Sequence, residues 1–188
     1  MMINPSKSQI IHNSGNKTPR PPSITINLNN IVVCSEAKLL GVTLTPDLKW
    51  DKHITHAIKR ASKIAFVLLQ MKRAGCNSNI LLKYYQATCR SILTYSYPAM
   101  CNMSSNLMNS IIKCKRRCLN IVGLRPTVPI SSYCDSLCQN LKQKVNNNPN
   151  HPLRRLISTH NRSTRSGGLV LPPTRTSRQA NSFIKFFS

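Results

Sequence analysis

A chain of 188 residues that sets 27 Lys and Arg against four Asp and Glu carries a formal charge of +23, with 40% of its residues apolar. That length suits one ordinary domain or two small ones, and the apolar share is enough for a core. The imbalance excludes an ordinary mixed-charge surface and draws polyanions, of which nucleic-acid phosphate is the commonest. Four acids also leave little for metal-dependent phosphoryl chemistry.

The first part of the chain reads as β-structure. Ser8–His12 is a strand candidate, followed by the turn-rich Asn13-Ser14-Gly15-Asn16 and the stiff connector Pro19-Arg20-Pro21-Pro22. Ile24–Ile26 faces Ile31–Val33 across Asn27-Leu28-Asn29-Asn30, a hairpin by length and residue type. Lys38–Leu44 reads as one further strand, completing a small antiparallel sheet that ends near residue 45.

From there the period becomes helical. A turn at Thr45–Trp50 leads into a helix over 51–73, with Ile54, Ile58, Ala61, Ala65 and Leu68 as its packing stripe and Gly75 as a C-terminal cap. Another flank carries Lys52, His56, Lys59 and Lys63 in steps of four, three and four. Ser78 caps a second helix reaching Tyr95, packed through Leu81, Tyr85, Thr88, Cys89 and Ile92 and broken by Pro98. A third helix, 106–122, packs through Leu107, Ile111, Cys114, Cys118 and Ile121 and closes at Gly123. Its Lys113, Lys115, Arg116 and Arg117 are contiguous and spread round the helix, so only some face one partner. A further amphipathic helix spans 130–145, and Arg154–Arg178, rich in Arg, Ser, Thr, Gly and Pro, is expected to be loose.

The expected fold is α+β: an N-terminal β region over 1–45, a helical domain over 46–123 and a basic extension over 124–188, partly disordered. The opening residues hold no secretory signal, and no apolar stretch approaches a membrane span, so an intracellular protein is expected, nuclear or cytoplasmic.

Catalysis by this chain alone is not expected. Asp47 and Asp51 are four apart but stand where a helix begins, a position that favours acids for their interaction with the dipole. Glu36 and Asp135 stand alone, and the histidines have no HExxH spacing. His53, beside Trp50, reads as a packed or surface residue. Cys114/Cys118 and Cys134/Cys138 each have helical spacing; buried reduced thiols are the favoured reading, and a four-thiolate zinc site in an interaction protein is the alternative. No metal ligand, no cofactor and no small-molecule substrate is assigned.

Four passages, in order, carry a resemblance. Asn4-Pro5-Ser6-Lys7-Ser8 is similar to an Asn-x-x-Lys-Thr/Ser segment. Leu39–Leu44 with Leu48, Trp50, His53 and Ile54 is similar to a YLGV…LxWxxHI stretch. Tyr84–Pro98 resembles a YxSxIRSxLxYxxP helix, with Lys115-Arg116-Arg117 where a QxRxLRxIxG segment falls. His151-Pro152-Leu153 and the run from Pro172 to Phe183 resemble a tail. Together these resemble the carboxyl-terminal end of a reverse transcriptase from a non-LTR, LINE-type, jockey-like retrotransposon. The resemblance implies that Leu40 and Gly41 lie at the primer-grip end of a palm and that the helices form a thumb holding an RNA/DNA template–primer duplex. It implies that Lys7 sits in the late palm and that Lys52, Lys59 and Lys63 face duplex backbone. The basic flank of the third helix, Lys113, Arg116 and Arg117, is expected to do the same. The catalytic Tyr/Phe-x-Asp-Asp pair would precede Asn4, so Mg2+ would belong to a palm this chain lacks. Leu39 departs from the family's usual aromatic.

Overall fold

The computed structural model describes residues 4–12, 24–100, 103–125 and 128–157, and within them two short hairpins precede a series of helices. The fold is α+β, and the chain divides into two compact units, Met1–Arg60 and Ala61–Ser188.

In the first unit, β1 (Ile24–Ile26) pairs antiparallel with β2 (Asn29–Ile31), Ile24 opposite Ile31. The turn is tighter than the sequence suggests. Asn27 and Leu28 take positive φ, 49° and 62°, which makes a two-residue loop whose twist matches the strands. Lys38–Leu44 is not one strand. It folds back at Leu40-Gly41 (φ 47° and 85°) into β3 (Ala37–Leu39) and β4 (Val42–Leu44). Gly41 takes the left-handed conformation without steric penalty. Leu40 therefore sits at the tip of a turn, 84% exposed, and neither it nor Gly41 lies within a strand. The single sheet expected from the sequence is two separate two-stranded sheets. Ile10 adds one parallel bridge to Val33, with Cys34 N–H donating to the Ile10 carbonyl at 2.8 Å.

Helix α1 (Asp51–Arg73) has the expected bounds. Ile54, Ala57, Ala61, Ala65 and Leu68 are buried along it; Ala57 takes the place given to Ile58, which is half-buried. Gly75, at φ 83°, ends the helix, its N–H donating to the Lys72 carbonyl at 3.0 Å. The β3–β4 hairpin is tied to the start of α1 by Thr43, whose N–H donates to His53 Nδ1 at 3.2 Å.

The second unit, which begins within α1, continues with α2 (Ser78–Tyr84), capped by Asn77 rather than Ser78: its Oδ1 accepts the Asn79 N–H at 2.7 Å. The expected single helix then widens into a π-helical stretch, Tyr85–Arg90, before α3 (Ser91–Thr94). Hydroxyls engage the carbonyls along it: Thr88 Oγ1 donates to Tyr84 O at 2.6 Å and Ser91 Oγ to Ala87 O at 2.6 Å. Burial falls on Leu81, Tyr85, Cys89, Leu93 and Tyr97, a step of four throughout, so Leu93 replaces Ile92 in the core. Burying a leucine fully contributes about 1.5–3 kcal/mol.

Helix α4 (Ser105–Val122) is buried through Ile111, Cys114, Cys118, Leu119 and Val122, and ends at left-handed Gly123. Leu107 and Ile121, expected inside, are half-buried. Helix α5 (Ile130–Asn147) packs against the 3-10 turn Tyr97–Met100 and buries Ile130, Cys134, Cys138 and Val145. Helix α6 (Pro152–Ile157) carries helical structure into the segment expected to be loose. The Pro19–Pro22 connector, the turn at 13–16 and everything beyond residue 157 lie outside the described residues. Among those described, no helix is long and apolar enough to cross a membrane.

Candidate nucleic-acid interface

Two helices of the second unit build an open cleft of about 820 Å³. The last turn of α1 supplies Lys72 and Arg73, and α4 supplies Lys113, Arg116 and Arg117, with Asn120 among them. Leu69 and Ile121 are its apolar lining residues. Spacings of three and four bring Lys113, Arg116, Arg117 and Asn120 onto one face of α4. The amine of Lys72 lies 4.0 Å from where a side chain at Gly123 would begin, at the negative end of the α4 dipole.

The cleft's charge has nothing to neutralise it. All five cations are exposed, and none has an acidic partner among the described residues. Of the four acids in the sequence, Glu36 pairs with Lys52 at 3.1 Å and Asp47 with Lys49 at 3.8 Å. Asp51 opens α1 and Asp135 lies on α5. Like charges three and four apart on a helix destabilise it by about 0.2–0.5 kcal/mol a pair. A chain that keeps Lys113, Arg116 and Arg117 together bears that penalty.

The other residues singled out in the sequence fall elsewhere. Lys7 is exposed at the end of a 3-10 turn, Pro5–Lys7, whose cap is Asn4. Lys52 is held by Glu36, so its charge is partly spent within the first unit. Lys59 and Lys63 are exposed, four apart on α1. Lys115 turns away from the cleft and donates to the Val128 carbonyl. Lys72 and Arg73 were not legible as site residues, because cations in a last helical turn are an ordinary response to the helix dipole. Their signal was available only as spacing, since Leu69, Lys72 and Arg73 share the i, i+3, i+4 pattern of a single face.

The acids Glu36 and Asp47 have local structural partners. Asp47 accepts from Thr45 Oγ1 at 2.6 Å and from the Lys49 N–H at 3.2 Å, and the Thr45 hydroxyl is the main reason its carboxyl is held below the usual range. It organises the turn before α1. Among the described residues no three His, Cys, Asp or Glu side chains are grouped to hold a metal ion. Cys114 and Cys118, four apart on α4, are joined by a thiol from another helix: Cys89 Sγ lies 3.3 Å from Cys118 Sγ. Hydrogen bonds from Cys118 and Cys89 lower Cys114, while the bond to Cys114 and burial push Cys118 up to about 12. Cys134 is pushed up to about 12 by burial and by Asp135. All five thiols, Cys89, Cys114, Cys118, Cys134 and Cys138, are buried, and Cys89, Cys114 and Cys118 meet in the core.

Compared with protein-family models, with curated protein sequences and with solved structures, the chain matches none.

Proposed function

We propose that this chain grips the backbone of a nucleic-acid duplex, as the thumb-like end of an RNA-directed DNA polymerase of non-LTR retrotransposon type, and performs no synthesis by itself. The observation that carries the binding is the cleft of Lys72, Arg73, Lys113, Arg116 and Arg117, five cations without an acid lining it. Phosphate contacts of this kind fix position on a duplex without reading sequence. The order of the sequence motifs supports the lineage, and an RNA/DNA template–primer duplex is the partner that follows from it. Such a duplex is met in the nucleus or cytoplasm, and the reading places the chain inside the cell. Mg2+ and the reacting carboxylates belong, on this reading, to another part of the polymerase.

The test is an equilibrium binding titration of a labelled RNA–DNA hybrid between 50 and 200 mM salt. With about six phosphates contacted, affinity falls by about 10³-fold over that range, in proportion to the counterions released. A flat salt dependence, or no binding at 50 mM, contradicts the proposal.

A further inference from the structure

The basic cleft has apolar surface that phosphate does not need. Leu69 and Ile121 lie within it, and Phe66, three residues before Leu69 on α1, extends that surface along the helix. The Phe66 ring is 62% exposed. Single apolar side chains are ordinary on a surface, but a contiguous set rimmed by polar groups marks a place where something binds.

The rim here has an order. Lys63, Phe66, Gln70 and Arg73 follow one another in steps of three, four and three, so they share one face of α1, and all four are exposed. At 1.5 Å per residue this face runs about 15 Å from Lys63 to Arg73. A cation stands at each end, with a ring and an amide between them. Among the described residues neither cation has an acidic partner and the Gln70 amide has no hydrogen-bond partner. Arg73 also lines the cleft, so face and cleft are continuous within the second unit. A duplex groove presents the complement of that order: phosphates on both sides, sugar and base edges between. Dimensions choose the groove. An α-helix with its side chains is about 10–12 Å across, and the minor groove of B-form DNA, about 6 Å wide, shuts it out. An A-form duplex, the geometry of an RNA–DNA hybrid, has a wide, shallow minor groove that displays 2′-hydroxyls and base edges.

We propose that this face of α1 lies in the minor groove of a bound RNA–DNA hybrid, with Phe66 covering sugar and base edges, Gln70 hydrogen-bonding to a 2′-hydroxyl or base edge, and Lys63 and Arg73 holding phosphates on either side. The inference rests on the reading of the chain as a duplex binder. It deepens that reading by assigning the groove and the two residues that tell a hybrid from B-form DNA. Covering an apolar ring releases no counterions, so Phe66 contributes affinity that salt does not weaken, whereas the cations contribute affinity that salt does weaken.

The experiment titrates the full chain with an RNA–DNA hybrid and with a DNA–DNA duplex of the same sequence, each across a series of salt concentrations. The parent is expected to bind the hybrid more tightly. Phe66→Ala is expected to weaken hybrid binding by about 10-fold at every salt concentration, with the salt slope unchanged. Lys63→Ala is expected instead to lower that slope by about 0.9. Gln70→Ala is expected to narrow the preference for the hybrid by about 2- to 10-fold, the range of one hydrogen bond. The melt of Phe66→Ala holds, because the ring is exposed and alanine is the better helix former. If the hybrid binds with a steep salt slope but Phe66→Ala binds it as the parent does, or weakens both duplexes equally, the minor-groove assignment is overturned while duplex binding stands. If the parent binds neither duplex, the functional reading fails and this inference fails with it. Phosphatidylserine vesicles supply the last arm. Binding to them that Phe66→Ala loses, with hybrid affinity unchanged, overturns the proposal in favour of an anionic membrane surface.

Discussion

Replacing Lys113, Arg116 and Arg117 together with alanine is expected to weaken RNA–DNA hybrid binding by about 10²–10³-fold at 0.1 M salt, while the protein melts no lower. Each phosphate left without its cation lowers the salt slope by about 0.9, so three lower it by about 2.7, and the weaker affinity follows from that slope. The melt holds because all three side chains are exposed. Surface substitutions of this kind change stability by about 0.5 kcal/mol or less. Their removal also relieves repulsion at three- and four-residue spacings along α4. Lys83→Ala, an exposed lysine on α2, serves as the control and leaves the slope nearly unchanged. A triple variant that binds as the parent does would deprive the cleft of its role.

Acid is expected to destabilise the protein through His53. The Thr43 N–H donates to Nδ1 at 3.2 Å, so that nitrogen is an acceptor and the ring proton sits on Nε2. Nε2 is itself buried with no partner among the described residues. Burial, followed by the charges of His56 and Arg60, holds the His53 pKa below its ordinary value of 6.5. The unfolded chain therefore takes up this proton at a higher pH than the folded chain. The contribution is fully present above about pH 6.5 and is lost as pH falls below that value toward the folded one. Protonation would also turn Nδ1 into a donor facing the Thr43 N–H. Thermal melts at pH 7.5 and 5.0 should show a lower midpoint in acid. His53→Ala leaves the Thr43 amide stranded, which is destabilising by about 1–3 kcal/mol, and it shrinks the acid shift. An acid shift that persists in full in that variant rules His53 out as its source.

The helices were legible because their periods are long and their ends marked. α1 follows from its apolar stripe, and Gly75 and Gly123 stop α1 and α4 by adopting left-handed φ. The β3–β4 turn was not legible, because Leu39–Leu44 is a nearly continuous apolar run and period alone does not show a reversal at Leu40-Gly41. Three of the cleft's five cations, on α4, could be read from spacing. The other two, Lys72 and Arg73, depend on which part of α1 lies beside α4, a tertiary fact that local pattern does not contain. The π-helical stretch escaped for a related reason: Tyr85 and Arg90 line one cleft only once it forms. Cys118 likewise finds Cys89, from another helix, at closest approach.

The most direct measurement is the acetylation rate of individual lysines with and without a saturating RNA–DNA hybrid. Lys72 and Lys113, which line the cleft, are expected to slow several-fold, while Lys83 on α2 and Lys144 on α5 keep their rates. Unchanged reactivity at Lys72 and Lys113, or equal slowing at all four, would contradict a duplex seated between α1 and α4.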